Sequence, residues 1–336
     1  MAKVVRFRNV GGPEVLQIEE LALGAPKPGD VRIKVGAIGL NRVETMFRKG
    51  EMGIPSLPSR IGYEAAGIVD AVGKDVTTVQ IGARVATLPG LSMEEYGTYG
   101  DTIFYPANML LPVPDNLSMN EAAAAWMQYL TAYALIGMGH IQKNDAVVIT
   151  AASSSVGLAA IQIVNAAGAT GIAITRGKDK IKALRDHGAQ HVVMTQGQNV
   201  VDTVDAVMSI TEGRGARIVF DAVAGDGFAQ LTEMAAQRGT IIIYGALSGD
   251  IAPLPVHQTM LKSLTVRGFA MNDFMSDDAT RQAAIPYICK GLETKQLRPI
   301  IDRVFNLEAI AVAHRYLESN QQVGKVVVQV SAANNA

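Results

Sequence analysis

The amino-acid sequence predicts an α/β protein in which a mostly-β domain is joined to a doubly wound parallel-sheet domain. Three observations lead to this prediction. Residues 1–115 contain short β-branched runs between turns that hold glycine and proline. From residue 145 onward, strand-like runs alternate with helical segments, which is typical of a parallel sheet with helices on both faces. A loop of small residues, 151–157, follows the first strand of that alternation and would let a diphosphate approach backbone N–H groups.

The composition allows a large core and argues against several function classes. The chain has 336 residues, of which 49% are hydrophobic and 18% are charged, so about two domains are expected. The formal net charge of −1 argues against a general binder of nucleic acid or of anionic membranes. No apolar run reaches the roughly 18 residues of a membrane span, and no signal peptide is visible. Cys289 is the single cysteine, which rules out an internal disulfide, and we expect a cytoplasmic protein.

The first region is predicted to contain strands and one early helix. Its strand-like runs are Asp30–Ile38, Gly67–Val72 and Arg84–Leu88, and its helix is Asn41–Lys49. After residue 115, Ser118-Met119-Asn120-Glu121 is a capping box that precedes a long helix from Ala122 to about Ile136.

The second region is predicted to hold the strands of a complete dinucleotide-binding domain. The strand-like runs are Ala146–Thr150, Gly171–Thr175, His191–Met194, Arg217–Phe220, Thr240–Tyr244 and Leu264–Gly268. Two further helices and a strand follow at about 279–291, 307–319 and 325–330, and we expect this last part to return to the first domain. The predicted domains are therefore 1–121 with 272–336, and 122–271.

The loop after the first of these strands is the candidate phosphate site. The usual G-x-G-x-x-G fingerprint is replaced by Ala152-x-Ser154-x-x-Gly157. Gly157 keeps the glycine that permits close helix–strand packing, and Ser154 is small and carries a hydroxyl that can donate to a phosphate oxygen. We therefore predict that Ser154, Ser155, Val156 and Gly157 bind the cofactor. The alternative is an ordinary turn between a strand and a helix.

The end of the second strand favours NADP over NAD. NAD enzymes commonly place an acidic residue there, on the ribose hydroxyls, whereas this chain has Arg176 with Lys180 close behind. A guanidinium can bind the 2′-phosphate bidentately, and a carboxylate would repel it. The alternative is a solvated basic helix face, continued by Lys182 and Arg185.

Several motifs follow one another in a fixed order along nearly the whole chain. They are Gly39-Leu40-Asn41, Gly62-Tyr63-Glu64-Ala65-Ala66-Gly67-Ile68-Val69, Gly82-Ala83-Arg84-Val85, Leu130-Thr131-Ala132-Tyr133, Ser155-Val156-Gly157-Leu158-Ala159-Ala160-Ile161-Gln162 and Gly324-Lys325-Val326-Val327. Their order and spacing resemble the medium-chain dehydrogenase/reductase superfamily, and within it the zinc-independent quinone oxidoreductase (zeta-crystallin-like) branch. The resemblance implies a GroES-like, mostly-β catalytic domain and a Rossmann cofactor domain.

The resemblance also shows where this chain departs from the zinc-binding relatives. Those relatives have a zinc-ligating histidine where this chain has Tyr63, a cysteine in the stretch that matches 39–44, and four clustered cysteines for a structural zinc. A single cysteine cannot supply such thiolate sites, so we expect no metal. Glu64 matches a buried acid beside the zinc position, and we do not assign it a catalytic role.

The site residues that the resemblance implies are few. Tyr63 faces the family's cleft and would donate to the acceptor oxygen, or else would only fill the space left by zinc. Asn41 resembles an asparagine beside the nicotinamide, and we assign it a cofactor or substrate contact. Tyr129 and Thr131 lie on the run of the long helix that faces the cleft, and Thr131 resembles a nicotinamide contact. The remaining candidates for cofactor binding are Gly245, Ala246, Leu247 and Lys325, of which Lys325 has a surface charge as its alternative. A tyrosine that the branch often carries in the first helix is Met46 here.

The function that follows is an NADPH-dependent reductase of quinones or related conjugated carbonyls. A quinone needs little polarisation because hydride transfer to it forms an aromatic product. The alternatives are an enoyl or 2-alkenal reductase, which would use the same mechanism, and an NADPH-binding protein without turnover. The expected substrate is small and apolar, and neither nucleic acid nor membrane is an expected partner. Because the last strand, around Val266, pairs across a dimer in the family, we expect a homodimer, with a tetramer as the alternative.

Overall fold

The structure is a computed structural model that describes residues 1–195 and 201–330. By its internal contacts the chain divides into two compact units, Met1–Met127 with Pro299–Ala336, and Gln128–Arg298. Within the described ranges, no helix combines the length and the apolar character that crossing a bilayer requires.

The strands of the described residues are numbered in chain order. They are β1 (Ala2–Arg6), β2 (Gln17–Leu21), β3 (Asp30–Gly39), β4 (Glu64–Val72), β5 (Arg84–Thr87), β6 (Thr102–Pro106), β7 (Leu110–Pro112), β8 (Ala146–Ile149), β9 (Thr170–Thr175), β10 (His191–Met194), β11 (Ala216–Asp221), β12 (Ala235–Ile243), β13 (Thr265–Gly268), β14 (Ile301–Asn306) and β15 (Lys325–Gln329).

The α-helices are numbered in the same way. They are α1 (Arg42–Lys49), α2 (Met93–Tyr96), α3 (Met119–Ala122), α4 (Trp126–Ala132), α5 (Ala134–Gly137), α6 (Ser155–Ala166), α7 (Lys180–Asp186), α8 (Val201–Ile210), α9 (Phe228–Met234), α10 (Val256–Leu261), α11 (Met271–Ser276), α12 (Asp278–Glu293) and α13 (Ile310–Glu318).

The first unit is built around a mixed sheet, as the sequence predicts. The strand order is β14-β15-β3-β4-β5-β7, with β6 also paired to β3 and with β1 and β2 forming a separate hairpin. β3 lies at the centre of the sheet and pairs with β15, β4 and β6. Its residues are buried almost throughout. The sheet places the residue before α1, the start of β4 and the start of β15 close together, since Gly39 pairs with both Glu64 and Val327.

The second unit is the predicted doubly wound domain. Its six strands are all parallel, in the order β10-β9-β8-β11-β12-β13, which is the strand order of a Rossmann domain. The apolar β-branched residues of β8, β9, β11 and β12 form its core with the inner faces of α8 and α9. The loops at the carboxyl ends of β8, β9 and β12 therefore emerge at one edge of the sheet, where open α/β sheets bind ligands.

The predicted long helix from Ala122 to Ile136 is wrong in its continuity. The capping box at Ser118 and Glu121 is present, but the helix is broken into α3, α4 and α5. Near the break, at the start of α4, the backbone N–H of Met127 donates to the Glu64 carboxylate at 2.9 Å. A buried acceptor thus takes a backbone donor at the point where the helix restarts.

The segment 272–298 belongs to the second unit. In α11 and α12, the rings of Phe274 and Tyr287 contact that of Tyr133 at centroid distances of 6.3 and 5.6 Å. The sequence predicts that the return to the first domain begins at residue 272, whereas in the structure the first unit resumes at Pro299. The predicted range 272–336 also includes residues 331–336, which lie outside the described residues.

Candidate active site

The first cluster of candidate residues surrounds a buried ion pair in the first unit. The Lys325 ammonium lies 2.5 Å from Glu64 Oε2, and the two side chains are both 0% exposed. The same ammonium donates to Asn41 Oδ1 at 2.7 Å. The alternative of a surface charge at Lys325 is therefore wrong, because its charge is compensated inside the domain.

Asn41 is held in one orientation by these neighbours. Lysine only donates, so the side-chain oxygen of Asn41 must face Lys325, and its Nδ2 donates to the Gly39 carbonyl at 3.1 Å. Nδ2 also lies 3.4 Å from Glu64 Oε2, and the residue is 7% exposed. The amide of Asn41 is thus saturated within the domain and links Glu64 to the start of α1.

Tyr63 lies immediately before β4. Its backbone N–H donates to Glu44 Oε1 at 2.9 Å, which fixes the chain beside the ring. The side chain is partly exposed, and its hydroxyl has no hydrogen-bond partner among residues 1–195 and 201–330. Burial, and then the charge of Glu44, raise the pKa of the Tyr63 phenol, so it stays protonated and can act as a donor.

Glu64 is not an available base. One carboxylate oxygen accepts from Lys325 and Asn41, and the other accepts from the backbone of Met127. Its position supports the structural role that we expected for it.

The second cluster is the loop between β8 and α6 in the second unit. Ser154 is the N-cap of α6, and its hydroxyl accepts from the Gly157 N–H at 3.0 Å. A Cβ on Gly157 would lie 2.5 Å from the backbone oxygen of Ala152, so only glycine fits. These contacts are what the third glycine of a dinucleotide fingerprint provides.

The basic residues after β9 reach the same loop. The Lys180 ammonium lies 3.3 Å from the hydroxyl of Ser153, which connects α7 to the candidate phosphate site. Arg176 is exposed at the end of β9, and its guanidinium makes no hydrogen bond or ion pair with any residue that the structure describes. Because β9 is paired directly with β8, Arg176 and the loop share the carboxyl edge of the sheet.

The other predicted cofactor contacts occupy two places in the second unit. Gly245, Ala246 and Leu247 follow β12 at its carboxyl end, where the N–H of Leu247 donates to the Ala222 carbonyl at 2.9 Å. Leu247 is 41% exposed and can offer an apolar contact. Thr131 is buried in α4. Tyr129, on the same helix, is fully buried and donates to Gln162 at 2.9 Å, so its hydroxyl is used for packing α4 against α6.

The metal-ligating residue types do not gather in the described part of the chain. No group of three or more histidine, cysteine, aspartate or glutamate side chains there could hold a metal ion. Cys289 lies in α12, where burial and then the nearby charge of Glu293 raise the pKa of its thiol.

The comparisons with known proteins agree with this architecture. Residues 27–115 match the family model of the alcohol dehydrogenase GroES-like domain, and residues 155–288 match that of the zinc-binding dehydrogenases. The quinone oxidoreductase of Pseudomonas aeruginosa is 30% identical over 330 residues, which cover 98% of this chain and 99% of the relative.

The chain belongs to the quinone oxidoreductase branch of the medium-chain dehydrogenase/reductase superfamily, and it is an oxidoreductase. Within the superfamily, the 2-haloacrylate reductase of a Burkholderia species is 30% identical over 341 residues, with 98% of each chain covered. Among solved structures, an NAD-dependent alcohol dehydrogenase has a TM-score of 0.90 at 32% identity and covers 98% of this chain and 100% of its own. The Escherichia coli quinone oxidoreductase complexed with NADPH has a TM-score of 0.89 at 26% identity, with 97% and 99% covered.

The sequence did not predict several residues that are buried beside the candidate site of this chain. The missed residues are Glu44, Arg48, Tyr99 and His314. With the residues above they form what we call the buried network, which comes from five separate segments of the first unit: Asn41, Glu44, Arg48, Glu64, Tyr99, His314 and Lys325. One local signal was available, because Glu44 follows Asn41 by three residues at the start of α1, the spacing at which a carboxylate reaches back to the first N–H of a helix.

Proposed function

We propose that this oxidoreductase uses NADPH to reduce quinones or related conjugated carbonyls. The observation that carries the choice of nucleotide is Arg176, an exposed guanidinium at the end of β9 that has no partner among the described residues. NAD enzymes commonly place an acidic residue at this point, and a carboxylate would repel the 2′-phosphate that a guanidinium binds.

The residues around the loop fit the rest of the nucleotide. The free N–H groups at the start of the twelve-residue helix α6 face a loop of small side chains, which suits a diphosphate. Lys180 adds a second cation at the same loop. The E. coli quinone oxidoreductase, whose structure is similar, was solved with NADPH, which supports the proposal. The NAD-dependent alcohol dehydrogenase of similar fold makes the choice of nucleotide a point to be measured.

The nicotinamide, when bound, supplies a hydride, and complete reduction of a quinone takes up one further proton from the medium. Tyr63 is the side chain best suited to assist, because its protonated hydroxyl is accessible and unpartnered among the described residues. A hydrogen bond from it to the acceptor oxygen would stabilise the negative charge that develops there. Asn41, Lys325 and Glu64 support this region through hydrogen bonds to one another. In this proposal a quinone or an enone reacts without a metal ion.

An enone C=C reductase is the nearest competing function. The 2-haloacrylate reductase relative favours it as the specific alternative, since its name describes an activated double bond. Hydride transfer to the β-carbon of an enone would call on the same donor at the same oxygen. A binding protein without turnover is the remaining alternative.

We propose further that the protein is a homodimer that works in the cytoplasm. β13 is an edge strand of the six-stranded sheet, and its residues are mostly exposed. The neighbouring segment leaves several apolar side chains in solvent, namely Ile251, Leu254, Val256, Met260 and Leu261. A second copy that pairs with this edge would cover both features. Sedimentation equilibrium would show a dimer or a tetramer, and a monomer at micromolar concentration would contradict the proposal.

The acceptor is tested by NADPH oxidation against a panel of quinones, enones, aldehydes and enoyl thioesters. We expect turnover with quinones or with conjugated carbonyls, and little with simple aldehydes, because those need strong polarisation of the carbonyl. Turnover with enoyl thioesters or alkenals but not quinones would replace the leading function by its rival. Tight binding of NADPH without oxidation of it by any acceptor would favour the non-catalytic alternative.

Tyr63→Phe tests the proposed donor. Loss of one hydrogen bond to developing charge should lower kcat/KM by roughly 10-fold on every active acceptor, with NADPH binding unchanged. The matched control is Tyr316→Phe, which removes a hydroxyl that donates to Asp302 on the exposed side of α13. Unchanged turnover of Tyr63→Phe on every active acceptor would remove Tyr63 as a donor and leave it as a residue that fills space.

A further inference from the structure

A line of hydrogen bonds runs from α13 through the first unit to Glu44. Arg48 Nη1 lies 2.8 Å from His314 Nδ1, and His314 Nε2 lies 3.0 Å from the Tyr99 hydroxyl. The Tyr99 hydroxyl then lies 2.6 Å from Glu44 Oε2. All four side chains are buried, and the reductase chemistry proposed above uses none of them directly.

The direction of every bond in this line is fixed by chemistry. A guanidinium only donates, so His314 Nδ1 must accept from Arg48. Burial, and then the charge of Arg48, lower the pKa of His314 to about 3, so the ring is neutral and its one proton is on Nε2. That N–H donates to the Tyr99 oxygen, and the single hydroxyl proton of Tyr99 is left to donate to Glu44.

The Glu44 carboxylate also accepts hydrogen bonds from Asn41 and Tyr63. Oε2 also accepts from the backbone N–H of Asn41 at 2.6 Å, and Oε1 accepts from the backbone N–H of Tyr63 at 2.9 Å. Asn41 Nδ2 lies 3.3 Å from Oε1. Full burial raises the pKa of Glu44. The hydrogen bond from Tyr99 is the largest effect that opposes this rise, and the charge of Lys325 opposes it as well. One carboxylate therefore joins Asn41, which supports the site, to Tyr63, the proposed donor to the acceptor oxygen.

The outer end of the line is anchored near the surface. Arg48 Nη2 donates to Glu318 Oε1 at 2.6 Å, and the Lys49 ammonium lies 3.3 Å from the same oxygen. Glu318 and His314 are both on α13, which follows the Rossmann domain in the chain. The C-terminal segment thus contributes charge and hydrogen bonds to residues near position 44.

We propose that Tyr99 and His314 are positioning residues that keep Glu44 a carboxylate, in the orientation that fixes Asn41 and Tyr63. The proposal rests on the proposed function only in the roles that it gives to Asn41 and Tyr63. The arrangement of donors around Glu44 is a property of the folded chain by itself.

The test follows the Glu44 carboxyl by NMR in the full-length protein with ¹³C-labelled glutamate, assigned with Glu44→Gln. In Tyr99→Phe the strongest side-chain donor is lost, and we expect the titration midpoint of Glu44 to rise by about one pH unit or more. The backbone ¹⁵N–¹H signals of Asn41 and Tyr63 should move with the same midpoint. The acid limb of kcat, measured with an acceptor that the wild type reduces, should shift to higher pH by the same amount.

Conservative replacement separates positioning from packing. His314→Gln keeps an acceptor for Arg48 and a donor for Tyr99, so it should restore the wild-type midpoint, whereas His314→Leu should shift it upward. Tyr105→Phe is the matched control, because Tyr105 is a buried tyrosine that donates to the Leu88 carbonyl outside the network, and it should leave the Glu44 midpoint unchanged. If Tyr99→Phe does not fold, the pair His314→Leu and His314→Gln carries the same comparison.

An unchanged Glu44 midpoint in Tyr99→Phe or His314→Leu would overturn the proposal, even if stability or activity falls, because it would show that these residues only pack. Amide signals of Asn41 and Tyr63 that do not follow the carboxyl would overturn it as well. The NMR measurement needs neither cofactor nor acceptor. A protein without reductase activity would therefore refute the proposed function without deciding this test.

Discussion

The phosphate loop at 151–157 and the buried network around Glu44 both hold functional groups in place, but they are built in opposite ways. The loop is one continuous segment of small residues whose useful groups are backbone N–H groups and a helix terminus. The network is assembled from side chains of distant segments, and hydrogen bonds within it join residues as far apart as 41 and 325. The difference teaches that one function is encoded locally, whereas the other exists only after the fold has formed.

The loop and the buried network also differ in how their charged residues are arranged. Two cations share the carboxyl edge of the sheet with the loop, namely the exposed Arg176 and the partly buried Lys180. The network encloses two cations, Arg48 and Lys325, and two carboxylates, Glu44 and Glu64, so its buried charges balance internally. Changes in the network should therefore alter stability first, and changes at the loop should alter nucleotide binding first.

The largest effect is expected for Lys325→Met. Removal of the ammonium leaves the Glu64 carboxylate buried without its counter-charge, and breaking such a pair costs about 3–5 kcal/mol of unfolding free energy. Urea denaturation measures it, and the double variant Glu64→Gln with Lys325→Met should recover a large part of the loss. The control Lys3→Met breaks an exposed pair with Glu308 and should cost about 1 kcal/mol or less. Equal costs for the two lysines would remove the distinction between buried and exposed charge on which the comparison depends.

The second effect concerns the pH dependence of stability through His314. The pKa of His314 in the folded state is lowered from 6.5 to about 3. Between these two pH values the unfolded state binds a proton that the folded state does not. Stability that this residue contributes is therefore present above about pH 6.5 and is lost as the pH falls towards 3. Relative to His314→Gln, the wild type should lose about 3 kcal/mol between pH 6.5 and pH 4. His257→Gln, an exposed site in α10, is the control, and parallel curves for wild type and His314→Gln would refute the neutral buried ring.

The third effect is at Gly157. The methyl group of Gly157→Ala would lie 2.5 Å from the backbone oxygen of Ala152, which cannot yield as a side chain would. We expect a loss of about 1–3 kcal/mol in unfolding free energy and weaker NADPH binding in calorimetry. Gly137→Ala in α5 is the matched control, because the nearest atoms to its new methyl group are on a tyrosine ring at 3.5 Å. A variant at Gly157 that binds NADPH as tightly as the wild type would show that this loop does not hold the nucleotide.

The smallest effect on folding, and the most selective effect on binding, is expected for Arg176→Ala. Loss of charge-assisted hydrogen bonds to the 2′-phosphate should weaken NADPH about 10- to 100-fold while the dissociation constant of NADH stays the same. Arg185→Ala, another exposed arginine of the same basic stretch, should change neither. Equal weakening by the two variants would favour the solvated basic face over a specific site.

The same contrast explains what could be predicted from the sequence. The Rossmann domain, its strands and the loop at 151–157 follow from periodicity and spacing within short segments. The break in the helix at Met127 depends on Glu64, which is 63 residues away, and the burial of Lys325 depends on both Glu64 and Asn41. Tyr99 and His314 carry no local pattern that marks them, because their partners are 55 and 266 residues away. Glu44 was the exception, since its spacing from Asn41 is visible in the sequence.

The pair of dissociation constants for NADPH and NADH, measured on the wild-type protein by calorimetry at one ionic strength, tests the proposed cofactor most directly. Arg176 at the end of β9 predicts that NADPH binds at least about 10-fold more tightly than NADH. If NADH binds as tightly as NADPH or more tightly, the assignment of Arg176 is wrong and the protein is not an NADPH-dependent reductase.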